Sequence, residues 1–208
     1  GLGDVYKRQQ QYQRCLEAFA TMRRIFADAK VNLLILVGDD QAENFHEENM
    51  PPFCVFVGEE LWGYPFRLLQ WYFGEPPGER MNVLANPESA LRLLEGLYAR
   101  GFDPAYARRM PDQQWGLPHA HIRVLHHVCP ESDVPVIPIH VNSYHPPCPS
   151  PSRCYALGRA LRDIIEKELG PDVRAAIYGS GGLSHDPYGP YGGIIAVSYT
   201  HLRAHETG

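Results

Sequence analysis

Cysteine is scarce in this sequence, and no two cysteines form a CxxC pair. The five that occur among 208 residues are Cys15, Cys54, Cys129, Cys148 and Cys154. An odd number without paired spacing fits reduced thiols better than a disulfide framework. We therefore expect a cytoplasmic protein with free cysteines.

Long apolar runs, net positive charge and internal repeats are also absent. No stretch approaches the roughly 20 apolar residues that a membrane helix needs. The formal net charge of −5 gives no electrostatic case for binding nucleic acid. A chain of this length can bury a core as one domain. We expect a single domain with neither a membrane nor a nucleic-acid partner.

Both ends of the chain have the character of foreign sequence. Residues 1–9 read GLGDVYKRQ and residues 197–207 read VSYTHLRAHET. These are translations of a transposase end sequence used to tag sequencing libraries and of its reverse complement continued into the adapter. We therefore predict that residues 1–9 and 197–208 are non-native and are to be excluded from reasoning about the fold. Residues 10–196 are then part of a native domain that is cut at both ends.

A strand near the end of the chain runs into a glycine-rich turn that carries one histidine. Residues 173–178 alternate and are rich in β-formers, and Gly179, Gly181 and Gly182 interrupt the pattern before His185. Ligands of open α/β sheets bind at this carboxyl edge of the strands. His185 is thus a candidate acid, base or metal ligand. The alternative is a glycine-rich turn with a solvated histidine.

A polar cluster follows the first predicted strand. Val31 to Val37 is a nearly continuous apolar run, typical of a strand covered on both faces, and residues 38–46 read GDDQAENFH. If the strands are parallel, this cluster lies at the same sheet edge as His185. It could hold a metal or a polar substrate. Asp and Asn also favour hydrated turns that cap the next element, and both interpretations stay open here.

The remaining periodicities predict helices and strands on either side of these two segments. Apolar residues spaced by three and four predict helices, and alternation of apolar and polar residues predicts strands. Pro135 and Pro138 indicate that the strand containing them is an edge strand or an irregular one. The predicted helices are Tyr12 to Ala29, Asn86 to Arg100, Asp103 to Met110 and Ser152 to Leu169, and the further strands are Phe53 to Val57 and Val134 to Asn142.

Two further segments are unusual in composition. Trp62 to Phe73 holds six aromatic residues, which suit either an aromatic-substrate pocket or core and interface packing. Pro118 to Val128 holds four histidines. If this segment is extended, His119 and His121 share a face. HxH spacing alone is weak evidence for a metal, so we expect one functional histidine among bystanders.

Four features follow one another between Val134 and Asp186. They are the strand PVIPIHVN, the proline loop with Arg153-Cys154, the helix Leu157-Gly158-Arg159-Ala160-Leu161, and Gly179-Ser180-Gly181-Gly182-Leu183-Ser184-His185. In these features the chain resembles the class III extradiol ring-cleavage dioxygenases, the family of the catalytic β subunit of protocatechuate 4,5-dioxygenase, and weaker similarity extends back to Val31. The resemblance implies an α/β fold, a single domain with a mixed central sheet flanked by helices.

The resemblance implies an oxidoreductase that uses Fe(II) and O2 to open a catechol-type ring. The family binds iron through two histidines and a glutamate. By this resemblance His185 is the acid/base histidine and His119 a second active-site histidine. The first iron histidine and the glutamate fall outside residues 10–196, so we expect this fragment to be inactive. The partners implied are a catechol-type aromatic substrate and O2, with a small partner subunit or a homo-oligomer.

The family's second iron histidine coincides with Gln41 in this sequence, four residues before Phe45. An amide oxygen is a weaker donor to Fe(II) than a neutral imidazole. Either Gln41 binds weakly, His46 or Glu43 substitutes, or this branch has changed its metal chemistry. Asn142 and Tyr144, just past a strand end, are candidate substrate-binding groups. The alternative functions are a non-catalytic subunit or binding module on the same fold, and another metal-dependent hydrolase-type enzyme.

Overall fold

Apolar strands and amphipathic helices alternate along the chain in the computed structural model, which describes residues 2–181. His185 and the rest of the glycine-rich motif beyond Gly181 lie outside the described residues. The strands are β1 (Leu33–Gly38), β2 (Phe53–Phe56), β3 (Leu61–Gly63), β4 (Met81–Val83), β5 (Ala105–Ala107), β6 (Val136–Val141) and β7 (Ala175–Gly179). The helices are α1 (Leu2–Asp28), α2 (Arg67–Phe73), α3 (Pro87–Ala99), α4 (His119–Val128) and α5 (Pro151–Lys167).

Five of the strands form one mixed sheet in the order β5-β2-β6-β1-β7. Strand β1 is parallel to both β6 and β7, whereas β2 runs antiparallel to β6 and parallel to β5. The predicted mixed α/β sheet is therefore confirmed. Because β1, β6 and β7 are parallel, their carboxyl ends meet at one edge, and the segments that follow them are brought together there.

Alternate side chains of β1 supply two separate cores, one on each face of the sheet. Leu33 and Ile35 pack in the cluster that includes Leu93 and Ile164 of α3 and α5. Leu34 and Leu36 pack in a second cluster with side chains of α4. The continuous apolar run of β1 is thus explained by helices on both faces, as expected for a strand at the centre of an α/β sheet.

The expectation that the proline-containing strand is an edge strand is wrong. Strand β6 is the central strand of the five, and both Ile137 and Ile139 are fully buried. The antiparallel register between β6 and β2 ends at Ile139, opposite Val55. Pro138 is the next residue, so its missing N–H falls where the ladder with β2 has already stopped. A central strand tolerates proline at such a position because no hydrogen bond of that ladder is lost.

Two other segments differ from the sequence prediction. Residues 105–107 form the short strand β5 rather than a helical piece, and Val57 N donates to Ala107 O at 2.9 Å beyond the end of β2. Residues 119–128 form a helix, so the condition under which His119 and His121 would share a strand face is not met. In the helix, Ile122 and Leu125 face the core at a spacing of three.

Helices α3 and α5 begin as their sequences predict. The side chain of Asn86 accepts a hydrogen bond from Ser89 N at 3.0 Å, and that of Ser150 accepts one from Arg153 N at 3.2 Å. Proline follows each cap in the first turn, where its missing N–H costs nothing. The predicted helices over residues 86–100 and 152–169 are confirmed.

Helix α1 lies mostly in solvent. Its anchor on the domain is α4, where the Phe19 ring stacks on His127 at 4.1 Å and Arg23 Nε donates to His127 O at 2.7 Å. Other apolar side chains of α1, such as Leu16 and Ile25, are exposed. The predicted non-native origin of residues 1–9 stays a prediction. Within residues 2–181, no helix has the length and apolarity to span a bilayer.

The packing of α3 against α5 predicts opposite effects of alanine at two helical glycines. A Cβ on Gly96 of α3 would lie 2.8 Å from Ile164 Cγ1, too close for carbon atoms, whereas a Cβ on Gly158 of α5 would meet no atom within 4 Å. We expect Gly96→Ala to lower the free energy of unfolding by about 1–3 kcal/mol through overpacking. Gly158→Ala should raise it by roughly 0.5–1 kcal/mol through helix propensity. Urea denaturation measures both, and equal effects of the two substitutions would contradict this packing.

Candidate active site

The carboxyl edge of the three parallel strands opens into a cleft of about 540 Å³. Each strand contributes residues that follow its end, and the first turn of α4 closes one side. The polar lining comprises Asp39 and Gln41 after β1, Ser143 and Tyr144 after β6, Ser180 after β7, and His119 and Arg123 from α4. Three sequence-predicted site residues, Gln41, His119 and Tyr144, are therefore brought together.

The loop after β1 is wound around the carboxylate of Asp40, which is fully buried. Asp40 Oδ2 accepts backbone hydrogen bonds from Glu43 at 2.9 Å, Asn44 at 2.7 Å and Phe45 at 2.8 Å. Gln41 and Ala42 have positive φ angles of 52° and 57°, a conformation that non-glycine residues rarely adopt. The capping interpretation of the polar cluster thus applies to Asp40, and the cap holds the loop in an unusual shape.

Asp39 joins the ends of β1 and β6 across the cleft. Its Oδ2 accepts a hydrogen bond from Ser143 Oγ at 2.8 Å, and its Oδ1 accepts one from Gln41 N at 3.3 Å. Gln41 lies in the cleft beside this carboxylate. The site-facing part of the cluster is therefore Asp39 and Gln41, while Asp40 is internal.

His119, the first residue of α4, is held by Glu43. The Glu43 carboxylate contacts His119 twice, with Oε1 bonded to the ring Nδ1 and Oε2 accepting from the backbone N at 2.9 Å. Arg67 Nη2 lies 2.9 Å from the same Oε2, and the side chains of Arg67 and Glu43 are only 5% and 2% exposed. Sequence reasoning missed this pairing, because Glu43 and His119 are 76 positions apart.

The two suggested substitutes for Gln41 as a ligand are placed differently by the fold. Both oxygens of Glu43 are engaged by His119 and Arg67. His46 lines a neighbouring cavity, together with Trp71 and Arg67, and not the cleft itself. Neither residue stands where it could replace Gln41 without a rearrangement of the loop.

Asn142 is buried at the end of β6 and braces the proline loop. Its Nδ2 donates to His145 O at 2.7 Å, and its Oδ1 accepts from His145 N at 2.9 Å. Its amide is therefore committed to the backbone, whereas Tyr144 of the same loop lines the cleft. The substrate-binding roles of both residues stay predictions.

Two buried histidines, His121 and His140, line a small pocket of about 30 Å³ together with Asp40. Burial lowers the pKa of His121 to about 4, although its Nε2 lies 3.2 Å from Ile139 O. Burial also lowers the pKa of His140, opposed by the charges of Asp40 and Asp39. His121 thus packs inside and does not share the exposed face of His119.

No group of three or more His, Cys, Asp or Glu side chains within residues 2–181 is arranged to hold a metal ion. The cleft offers an amide at Gln41, a carboxylate at Asp39 and one imidazole at His119. Fe(II) sites of the histidine-carboxylate type need two imidazoles and a carboxylate on one side. The described residues therefore do not by themselves fit an iron centre.

These features define an α/β protein with a ligand cleft at the carboxyl edge of parallel strands. The family model described as "Catalytic LigB subunit of aromatic ring-opening dioxygenase" matches residues 3–193. The chain therefore belongs to this family of metal-dependent, ring-opening dioxygenases, and the resemblance seen in its sequence is confirmed.

Curated relatives support the same assignment. Proteins named 2,3-dihydroxyphenylpropionate/2,3-dihydroxicinnamic acid 1,2-dioxygenase from Photorhabdus laumondii and Comamonas testosteroni are 31% and 32% identical, over 86% and 82% of this chain. The one from Rhodococcus jostii is 29% identical over 82% of it. The matches cover 51%, 48% and 48% of these relatives, so the chain spans about half of their length.

The cap at Asp40 predicts a large loss of stability on truncation. Asp40→Ala leaves backbone N–H groups of residues 43–45 buried without their acceptor, and we expect the free energy of unfolding to fall by about 3 kcal/mol. Asp39→Ala, one position away in a half-buried site, should cost about 1 kcal/mol or less. Chemical denaturation of the two variants measures the difference, and similar losses would show that the Asp40 bonds do not shape the loop.

The buried imidazole of His121 predicts an acid-sensitive fold. Its pKa in the folded chain is about 4 against 6.5 as the ordinary value, so the unfolded chain takes up the proton first as pH falls. The His121 contribution is constant above about pH 6.5, and roughly 3 kcal/mol is lost between there and pH 4. In urea denaturation at several pH values, His121→Gln should flatten this dependence. His46→Gln, at an exposed histidine, should keep the wild-type slope; equal slopes in all three proteins would contradict the assignment.

Proposed function

We propose that the full-length protein containing this chain is an extradiol dioxygenase that opens a catechol-type ring with O2 and uses Fe(II). The observation that carries the proposal is the cleft in which Gln41, His119 and Tyr144 meet at the carboxyl edge of the sheet. Family membership supplies the reaction class. The curated relatives are named for 2,3-dihydroxyphenylpropionate, so a catechol bearing an acidic side chain is the substrate class we propose.

His119 is proposed as a proton acceptor for one hydroxyl of the substrate. Its Nδ1 is occupied by Glu43, so Nε2 is the nitrogen left to take a proton from a ligand in the cleft. A histidine can exchange protons near neutral pH, as an acid/base group must. Arg123, also in the lining, supplies a positive charge beside the phenolate that forms. By resemblance, His185 is the family's acid/base histidine, and His119 is the second active-site histidine.

Binding of Fe(II) by this protein requires donors beyond the described residues. Gln41 can offer one amide oxygen, and the family resemblance places a histidine and a glutamate outside residues 10–196. When bound, such a metal would hold the two oxygens of the catechol and bring O2 beside the ring. The proton-handling proposed for His119 depends only on groups that the described chain contains.

A non-catalytic subunit or binding module on the same fold is the second candidate function. It is favoured by Gln41 at a ligand position and by the lack of a metal-binding group within residues 2–181. The hydrolase alternative has no support from the family assignment. A partner subunit or a homo-oligomer also stays a proposal, supported by the exposed Trp71 and Phe73 on α2.

The test is a ring-cleavage assay with the full-length protein. We expect protein loaded anaerobically with Fe(II) to consume O2 with 2,3-dihydroxyphenylpropionate and to form a yellow ring-fission product. His119→Gln should lower kcat by roughly 10²- to 10⁴-fold, as loss of a general base does. His126→Gln, on the same helix but outside the cleft, is the matched control. O2 uptake and product absorbance are the readouts.

Two results would overturn the proposed reaction, and a third would remove the role of His119. Full-length protein that binds neither Fe(II) nor a catechol would remove the catalytic function, whereas catechol binding without O2 uptake would establish the binding-module alternative. Turnover that survives His119→Gln unchanged would remove the role assigned to that histidine.

A further inference from the structure

Glu43 makes an unusual contact with His119 at the edge of the cleft. Its carboxylate is buried, and it bonds to both the imidazole and the backbone N of His119. We propose that Glu43 is a positioning residue that keeps the proton of the neutral His119 ring on Nδ1. Nε2 is then the basic nitrogen that a ligand in the cleft meets. The catalytic meaning of this inference rests on the proposed function, whereas the tautomer itself does not.

The hydrogen-bonding capacity of the Glu43 carboxylate and the His119 ring decides which ring nitrogen carries the proton. An ionised carboxylate can only accept hydrogen bonds, so a neutral imidazole bonded to it through Nδ1 must carry its proton there. The ion pair with Arg67, at 2.9 Å and almost fully buried, gives the Glu43 charge a fixed partner. The other ring nitrogen of His119 is then an acceptor in every neutral form compatible with this contact.

The second contact fixes where the ring stands. Glu43 Oε2 accepts from the backbone N of His119 at 2.9 Å, so the same carboxylate holds both the first N–H of α4 and the side chain of that residue. A negative charge at a helix N-terminus is also favoured by the helix dipole. Ring and backbone are thereby clamped together, which limits the rotation of the imidazole.

Glu43 is itself positioned by the loop that carries Gln41. Glu43 N donates to Asp40 Oδ2 at 2.9 Å, so the capped loop delivers the carboxylate to α4. A purely structural ion pair between loop and helix is the competing explanation, because buried pairs are weak evidence for any particular role. The two explanations differ in one observable, which is the protonation site of the His119 ring.

The experiment records long-range ¹H–¹⁵N spectra of the ¹⁵N-histidine-labelled 208-residue chain at mildly alkaline pH, without metal or substrate. His119 is assigned by the loss of its signals in His119→Gln. We expect a protonated, pyrrole-type Nδ1 and a pyridine-type Nε2 in the wild type. In Glu43→Gln, the amide oxygen can serve the backbone N–H while the NH2 faces Nδ1, so the proton should move to Nε2.

Controls separate the tautomer from folding. Glu88→Gln, which alters an exposed pair with Arg92, should leave the His119 signals unchanged. Glu43→Gln leaves the buried Arg67 charge without its partner, and this variant could fail to fold for that reason. In that case the double variant Glu43→Gln/Arg67→Met removes both charges, and its His119 protonation site is compared with that of the wild type. An Nε2-protonated ring in the wild type, or an Nδ1-protonated ring that persists in the folded variant, would overturn the inference.

The protonation site of the His119 ring is measured independently of the ring-cleavage assay. A tautomer that shifts as expected in a protein that proves inactive would support the positioning role and reject the proposed reaction. In an active enzyme, Glu43→Gln should lower kcat by roughly tenfold or more and leave KM nearly unchanged, because it alters the proton acceptor and not the lining of the cleft.

Discussion

The cleft depends on the hydrogen bonds that the buried carboxylate of Asp40 accepts from the loop after β1. A single oxygen accepts three backbone hydrogen bonds from residues 43–45, and the loop after β1 therefore turns back on itself. That turn places Gln41 toward the cleft and Glu43 toward α4. Glu43 in turn contacts both the ring and the backbone N of His119, so one capped loop links Gln41, Glu43 and His119.

The family assignment and the local chemistry point in different directions, and the difference is informative. The family model of a catalytic subunit of ring-opening dioxygenases matches residues 3–193. At the same time, Gln41 occupies the position at which the sequence resemblance implies an iron histidine, and Glu43 is committed to a buried ion pair. Among residues 2–181, the cleft therefore presents polar and charged side chains but no cluster of three or more His, Cys, Asp or Glu side chains that could hold a metal ion.

The errors in the sequence prediction have a common physical cause. An extended conformation of the segment with His119 and His121 would have put both histidines on one face, yet Ile122 and Leu125 are buried in the core from a helix. Pro138 suggested an edge strand, but the ladder with β2 ends just before the position where an N–H would be needed. In both cases a tertiary contact, which local pattern does not contain, outweighed a local preference.

The sequence by itself determined the α/β class, the buried strand at residues 33–38, the capped helices and the family, because apolar periodicity and turn residues act locally and motifs are read directly. Only the tertiary structure decided that Glu43 and Arg67 meet His119, that Asn142 braces a loop, and that His121 is buried. The physical reason is that Glu43 meets His119 and Arg67 from different elements of the fold. The hydrogen bonds of Asn142 and the burial of His121 likewise depend on how a loop and a helix pack against the sheet.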